Sequence, residues 1–282
     1  MANEGIKQAI PNIAILVILL LTLLGVLTYY QFISCSDVPG WCPVYCSMAG
    51  KSRVALLYGT EGIGNPDLLR TQIINQRFIP VETISVDTAS AALLKKYDLV
   101  IVEHAKRITP AQSDAILEYL RSGKPAIWIG DAGTERYLSN DDLTLAKQRN
   151  ASQPGYYEQL VKQVNESKGF GDISNALGAQ YVSTKTGPAT ATLTIVDRDH
   201  KLTRGLTPQL TLPISAYATV SFTPAAALKI ADLKVGSDTI PGLLESRYAG
   251  KILYSSIPLE ELPKAGYTTV LDNAMSYLVT CG

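Results

Sequence analysis

Hydrophobic and polar positions follow three successive regimes along the chain. The first is one unbroken apolar run. No charged residue occurs between Lys7 and Asp37, and Ile13 to Ile33 reads almost entirely Ile, Leu, Val, Ala, Thr and aromatic. At about 1.5 Å rise per residue such a run matches a hydrocarbon core of about 30 Å, so the pattern predicts a transmembrane helix over 10–33. Pro11 suits a first helical turn, where its missing N–H costs nothing. Tyr29, Tyr30 and Phe32 fall where aromatic rings favour the headgroup region. A cleaved signal peptide carries a basic start and a shorter apolar stretch, whereas here Glu4 offsets Lys7 and the run is long. Phe32-Ile33-Ser34-Cys35 is a poor lipoprotein cleavage pattern at Phe32. An uncleaved anchor is the expectation.

The second regime begins at Lys51 and alternates short apolar strands with amphipathic helices. Val54–Tyr58 is a strand ended by the turn Gly59-Thr-Glu-Gly-Ile-Gly64, and a helix follows over Asp67–Asn75. A strand over Ile79–Val86, a helix over Thr88–Lys96 and a buried strand over Leu99–Val102 come next. Thr109 reads as the N-cap of a helix reaching Arg121, with Pro110 at its first position. Gly123 closes that helix, and Ala126–Ile129 is the next strand. Continuous apolar strands alternating with amphipathic helices predict a mostly parallel sheet covered on both faces, an α/β architecture of flavodoxin-like type. The third regime is more polar and helical over Glu135–Gly178, then β-rich: Thr190–Val196, Ile214–Val220, Leu228–Leu233 and Lys251–Ser255. A helix over Thr268–Val279 ends the chain. These patterns divide it into a short N-terminus (1–9), the anchor (10–33), a Cys-containing linker (34–50) and one α/β domain (51–282).

Composition narrows the function. The 282 residues are 46% hydrophobic and 18% charged, enough for a sizeable core. Lys plus Arg equals Asp plus Glu, 25 each, which excludes a nucleic-acid partner that needs a basic surface. No cofactor is expected. Lys7 and the amino terminus lie on the short side of the anchor, and no Lys or Arg follows until Lys51. The positive-inside rule then places residues 1–9 in the cytoplasm and the domain outside, with the lipid bilayer as one partner and an unidentified ligand or envelope protein as another. The four cysteines, Cys35, Cys42, Cys46 and Cys281, all avoid the body of the chain. They predict two disulfides in an oxidising compartment. A Zn site is the alternative, but the spacing is not of paired C-x-x-C type and no His lies near. Three pairings are open, and each joins Cys281 to the juxtamembrane cluster. Asn150-Ala-Ser152 and Asn165-Glu-Ser167 are sequons compatible with export.

Several phrases between residues 53 and 282 carry a family resemblance. They are Tyr97-Asp-Leu-Val-Ile-Val-Glu-His104, Lys124-Pro-Ala-Ile-Trp-Ile-Gly130, Asp197-Arg-Asp-His-Lys-Leu-Thr-Arg-Gly205, Arg247-Tyr-Ala-Gly-Lys-Ile-Leu-Tyr254 and Leu271-Asp-Asn-Ala-Met-Ser-Tyr-Leu278. In order and spacing the chain resembles the class I glutamine amidotransferase-like superfamily, and within it the ThuA-like and related membrane-anchored domains. That resemblance implies a nucleophilic Cys in a tight strand-to-helix turn, activated by its strained backbone and a helix N-terminus. The corresponding turn, Ile129-Gly130-Asp131-Ala132-Gly133, has none, and the His-x-Glu pair that would orient a thiol is missing too. The resemblance therefore implies a pseudoenzyme.

Open α/β sheets bind ligands at the carboxyl ends of their strands. Glu61, Asp87, Glu103, His104, Asp131 and Glu135 are expected there. Converging carboxylates with one imidazole suit a divalent cation, or a polyhydroxylated ligand held by hydrogen bonds. The plain alternative is that they cap helices and bond loop amides. The Gly59–Gly64 turn is G-x-x-G-x-G, matches neither nucleotide fingerprint and reads as a simple strand-to-helix turn. His200 reads as a loop residue outside the site. The expectation is a non-catalytic, membrane-anchored binding domain, with a glycan hydrolase using Glu103, His104 and Asp131, or a structural component of an envelope assembly, as alternatives.

Overall fold

A computed structural model describes residues 2–29, 33, 38–77, 79–166 and 168–281. The chain divides into two compact units, Met1–Lys51 with Cys281, and Ser52–Thr280.

In the first unit, α1 (Ala2–Tyr29) is a single helix and α2 (Trp41–Ala49) a second. From Ile13 to Val26 the large apolar side chains of α1 are largely exposed, Leu16 at 66% and Leu19 at 62%. Among the described residues no helix is long and apolar enough to cross a membrane. The expected span 10–33 and its aromatic end at Tyr30 and Phe32 run beyond the described residues. Trp41 is buried and its indole N–H donates to Thr28 Oγ1 at 2.9 Å, tying α2 to the end of α1. The linker read as a loop thus contains a helix, because Pro43 falls within its first turn, where proline is tolerated. Cys46 is bonded to Cys281 and Cys42 is also disulfide-bonded. Cys35 lies outside the described residues.

The second unit is a mixed α/β domain. Its strands are β1 (Val54–Tyr58), β2 (Val81–Ser85), β3 (Leu99–Val102), β4 (Arg107–Ile108), β5 (Ala126–Ile129), β6 (Glu135–Arg136), β7 (Ala179–Ile195), β8 (Gln209–Phe222), β9 (Ala227–Val235), β10 (Asp238–Ser246) and β11 (Ile252–Ser255). Nine of them form one sheet in the order β2-β1-β3-β5-β11-β10-β9-β7-β8, and β4 pairs with β6 separately. From β2 to β11 every pairing is parallel, and from β11 to β8 every pairing is antiparallel. The alternating strand–helix segment builds the parallel half. The β-rich C-terminal segment extends it, with β11 returning to close the parallel set beside β5.

Period-2 alternation sends the strand side chains to two cores. Val54, Leu56, Leu99, Ile101, Ile127 and Ile129 pack on α3 (Pro66–Arg77) and on α10 (Thr268–Leu278). Ala55, Leu57, Val100, Val102, Trp128 and Tyr254 pack on α4 (Ala91–Leu94), α5 (Pro110–Arg121) and α8 (Ile173–Leu177). The capping box at Thr109 forms as its residues dictate: Gln112 N–H donates to Thr109 Oγ1 while Gln112 Oε1 accepts from Thr109 N–H. The polar segment supplies α6 (Asn140–Asn150) and α7 (Tyr156–Glu166), and α9 (Glu261–Lys264) precedes α10.

The Asp197–Gly205 phrase is a structural knot. Asp197 accepts the N–H of Asp199 and of His200, and His200 Nδ1 accepts the N–H of Leu202. That fixes the proton on Nε2, which donates to Glu245 at 2.7 Å, and Tyr277 donates to the other Glu245 oxygen at 2.6 Å. Burial opposes the Glu245 charge, yet the hydrogen bonds from His200 and Tyr277 hold its carboxyl below the usual range.

Candidate functional site

The parallel strands β1 and β3 end side by side, with β2 beyond β1, so chain direction around the sheet reverses between them. A crevice opens at such a point because the two connections leave in opposite directions. Here it is a cavity of about 390 Å³ lined by Tyr58, Gly64, Asn65, Pro66, Asp67, Thr83 and His104. Asn65 caps α3 through Oδ1, which accepts Leu68 N–H at 3.1 Å. His104 lies two residues past the end of β3 at φ 52°, the one positive φ outside glycine among the described residues. A left-handed imidazole-bearing residue costs about 1–2 kcal/mol, and its Nδ1 is buried with no hydrogen-bond partner. His104→Gly is expected to leave stability unchanged or raised by up to about 1 kcal/mol, read by urea unfolding, while removing the imidazole from the cavity.

Behind Gly64 lies a buried pair of carboxyl groups. Glu103 is fully buried and Glu260 is 1% exposed. Gly64 sits at φ 102°, and a Cβ there would meet the Glu103 carboxyl at 2.5 Å, so the turn closes over Glu103 only with glycine in place. Glu260 Oε1 accepts Asn65 N–H at 2.6 Å. Its second oxygen and both oxygens of Glu103 have no protein donor. A proton on Glu103 directed at Glu260 supplies the missing donor. Burial first, then the neighbouring Glu260 charge, pushes the Glu103 carboxyl well above its ordinary range. Burial raises Glu260 as well, against the hydrogen bonds from Glu103 and Asn65.

Both folded-state values are raised, so this contribution to stability is full below the unfolded value near about 4.3 and is lost as pH rises toward the folded ones. Glu103→Gln keeps a permanent donor toward Glu260 and removes one titration. Urea unfolding is expected to show a shallower loss of stability between pH 5 and pH 8 than in the wild type, with the variant more stable at pH 8. A parallel pair of pH profiles would contradict the shared proton.

The turn after β5 is closed by a different interaction. Asp131 is 2% exposed; its Oδ1 accepts Ile63 N–H at 2.9 Å and its Oδ2 accepts the Thr184 hydroxyl at 3.1 Å. Tyr181 and Thr184 hydroxyls are linked at 2.8 Å. Ile63 is itself buried and lies over Gly130, where an added Cβ would run into Ile63 Cδ1. Asp131 therefore anchors the Gly59–Gly64 turn to β5 and seats Ile63 as a plug on the turn.

Of the residues expected at the strand ends, His104 lines the cavity and Glu103 lies beneath it. The others are distributed elsewhere. Glu61 pairs with Arg107 at 3.4 Å and Glu135 with Lys106 at 2.7 Å. Asp87 accepts Gln112 Nε2 at 3.2 Å and the Tyr137 hydroxyl at 3.0 Å. These are the capping and loop-bonding roles of the plain reading. Among the described residues no cluster of three or more His, Cys, Asp or Glu is arranged to hold a metal ion. Sequence reasoning did not place Glu260, Ile63, Tyr58 or Asn65 at the site. For Glu260 the one signal was a carboxylate just past an apolar strand, the same signal that pointed to Glu103. Asn150 Oδ1 accepts Tyr157 N–H at 3.2 Å. Asn165 is exposed near the end of α7, and Ser167 of its sequon lies outside the described residues.

No family model matches the sequence, and no curated protein does. Solved structures do match. A protein of Bacteroides uniformis described as ThuA-like superposes with TM-score 0.56 at 14% identity, covering 80% of this chain and 90% of that one. A cold-adapted β-galactosidase from Rahnella sp. R3 gives 0.54 at 15% identity over 83% of this chain, which spans only 33% of the enzyme. A Thermoplasma acidophilum protein described as one component of GMP synthase gives 0.50 at 10% identity, covering 80% and 96% of the two chains. At these identities the likeness is one of architecture: the chain shares the α/β fold common to ThuA-like and GMP synthase-like proteins.

Proposed function

We propose that the chain is a non-catalytic binding domain, tethered to a membrane by its N-terminal helix and held on the outer side, that takes a polyhydroxylated ligand such as an oligosaccharide at the cavity around His104. The observation that carries the non-catalytic reading is the plugged turn. In the amidotransferases the chain resembles, the attacking thiolate must be open to substrate. Here the equivalent corner presents Asp131, both oxygens already bonded, beneath the side chain of Ile63. The cavity offers an aromatic ring at Tyr58, an amide at Asn65, a carboxylate at Asp67, a hydroxyl at Thr83 and the imidazole of His104. A ring face with a few polar groups of mixed donor and acceptor character suits a neutral polyol.

The glycan-hydrolase alternative is less well supported. Glycosidases need two carboxyl groups flanking the bond, about 5–9.5 Å apart, whereas Glu103 and Glu260 are both buried, with Gly64 closing over Glu103, and neither flanks a bond of a ligand in the cavity. The exposed apolar surface of α1 favours a lipid partner over water, and the Cys46–Cys281 bond favours an oxidising compartment.

Assays of the full chain in detergent are expected to show no ammonia release from glutamine and no cleavage of nitrophenyl esters or glycosides. Turnover abolished by Asp131→Ala contradicts the reading. In intact cells an added protease is expected to digest the domain beyond residue 51, and complete protection contradicts the topology.

A further inference from the structure

A second cleft, of about 270 Å³, shares no lining residue with the cavity around His104. Ser113 and Asp114 from α5, Arg136 from β6, Leu160 and Val164 from α7 and Asp172 before α8 line it. Arg136 is half-buried, and its guanidinium is fixed by neutral acceptors alone: the carbonyls of Gly133 and Phe170 and the Ser113 hydroxyl. These bonds take three of its five N–H donors. Asp114 and Asp172 stand on the exposed rim, and their charges act on the guanidinium. Among the described residues neither forms an ion pair or hydrogen bond through its carboxylate. Leu160 and Val164, four residues apart on one helix face, add an apolar wall.

A simple anion would meet Arg136 but also two aspartates. A simple cation would meet the aspartates but also a half-buried guanidinium. A neutral polyol would bring an opposite charge to none of the three. A molecule carrying both signs satisfies the whole set through charge-assisted hydrogen bonds. We propose that this cleft binds a small zwitterion, an α-amino acid with a short aliphatic side chain. Its carboxylate sits on the free N–H groups of Arg136, its ammonium group faces Asp114 and Asp172, and its side chain lies against Leu160 and Val164.

Calorimetric titration of the full chain with L-leucine, N-acetyl-L-leucine and L-leucinamide tests this. L-Leucine is expected to bind saturably. The acetylated probe lacks the ammonium group and the amide lacks the carboxylate, and each is expected to bind at least about tenfold more weakly, which corresponds to about 1.4 kcal/mol. Arg136 also holds the fold, so the informative variant is Asp114→Asn with Asp172→Asn. It should weaken L-leucine at least about tenfold at unchanged Tm. No saturable heat with L-leucine, equal binding of the three probes, or wild-type affinity in the double variant would overturn the proposal. Any of these results leaves the oligosaccharide reading of the other cavity standing.

Discussion

Asp131→Ala is expected to lower the unfolding free energy by roughly 3–5 kcal/mol, although no catalytic step is assigned to the residue. The substitution deletes an acceptor that two groups share, the Ile63 N–H and the Thr184 hydroxyl. The Ile63 N–H is then left unmet in a buried site and the Thr184 hydroxyl in a part-buried one, and an unmet buried donor costs about 1–3 kcal/mol. The Gly59–Gly64 turn loses its tie to β5, and the contacts of Ile63 over Gly130 and with Ala216 and Ala218 go with it. Asp131→Asn keeps an acceptor for Ile63 and is expected to cost only about 1 kcal/mol. Urea unfolding of the three proteins at one pH checks the ranking. Wild-type stability in Asp131→Ala would show that the carboxylate is not a strut, and the plugged turn would lose its explanation.

The second large effect belongs to the Cys46–Cys281 bond. Its partners are 235 residues apart, so it encloses the whole α/β domain in one covalent loop. A loop of that length removes much of the freedom of the unfolded chain, worth about 5 kcal/mol in the chain-entropy model, with measured disulfides more often giving about 2–4. Cys281→Ser is therefore expected to lower Tm by roughly 10 °C, taking about 2–4 °C per kcal/mol for a domain of this size. Wild type in strong reductant should fall by at least as much, since reductant also opens the disulfide of Cys42. A variant that melts with the wild type contradicts this, and would mean that the unfolded chain is already compact in the absence of the bond.

The parallel half of the sheet was legible because each strand there is a short apolar run bounded by turn residues. Val54–Tyr58, Leu99–Val102 and Ala126–Ile129 form where the pattern puts them. The antiparallel half was read too short, and the cause is proline. Gly187 and Pro188 interrupt β7 at an irregular register between Thr186 and Ala189, so only its last part looked like a strand. Pro241 in β10 sits beside another register shift, and that strand was missed altogether. Pro213 on the edge strand β8 truncated the reading of that strand at Ile214. Proline is tolerated at bulges and edges, which a local pattern cannot distinguish from a turn.

The site was legible in the same uneven way. Position just past a strand is a local property, and it placed Glu103 and His104 side by side after β3. The partner of Glu103 comes from the far end of the chain: Asn65 and Glu260, which meet under the turn, are 195 residues apart in sequence. Ile63 reaches Asp131 across 68 residues. Such pairings are set by strand order, and β11 enters between β5 and β10 only because the chain returns to the centre of the sheet. Asp87, Glu61 and Glu135 satisfied the same local rule but found nearer partners in Tyr137, Arg107 and Lys106.

The most direct test of the account is an NMR titration of the isotopically labelled full chain with neutral oligosaccharides, followed at the amides of Tyr58, Asn65 and His104. The account predicts saturable shifts confined to those positions, loss of at least about tenfold in affinity in His104→Gly without loss of stability, and unaltered sugar recovered from the tube. An absence of shifts at those amides, or the appearance of cleaved sugar, would contradict it.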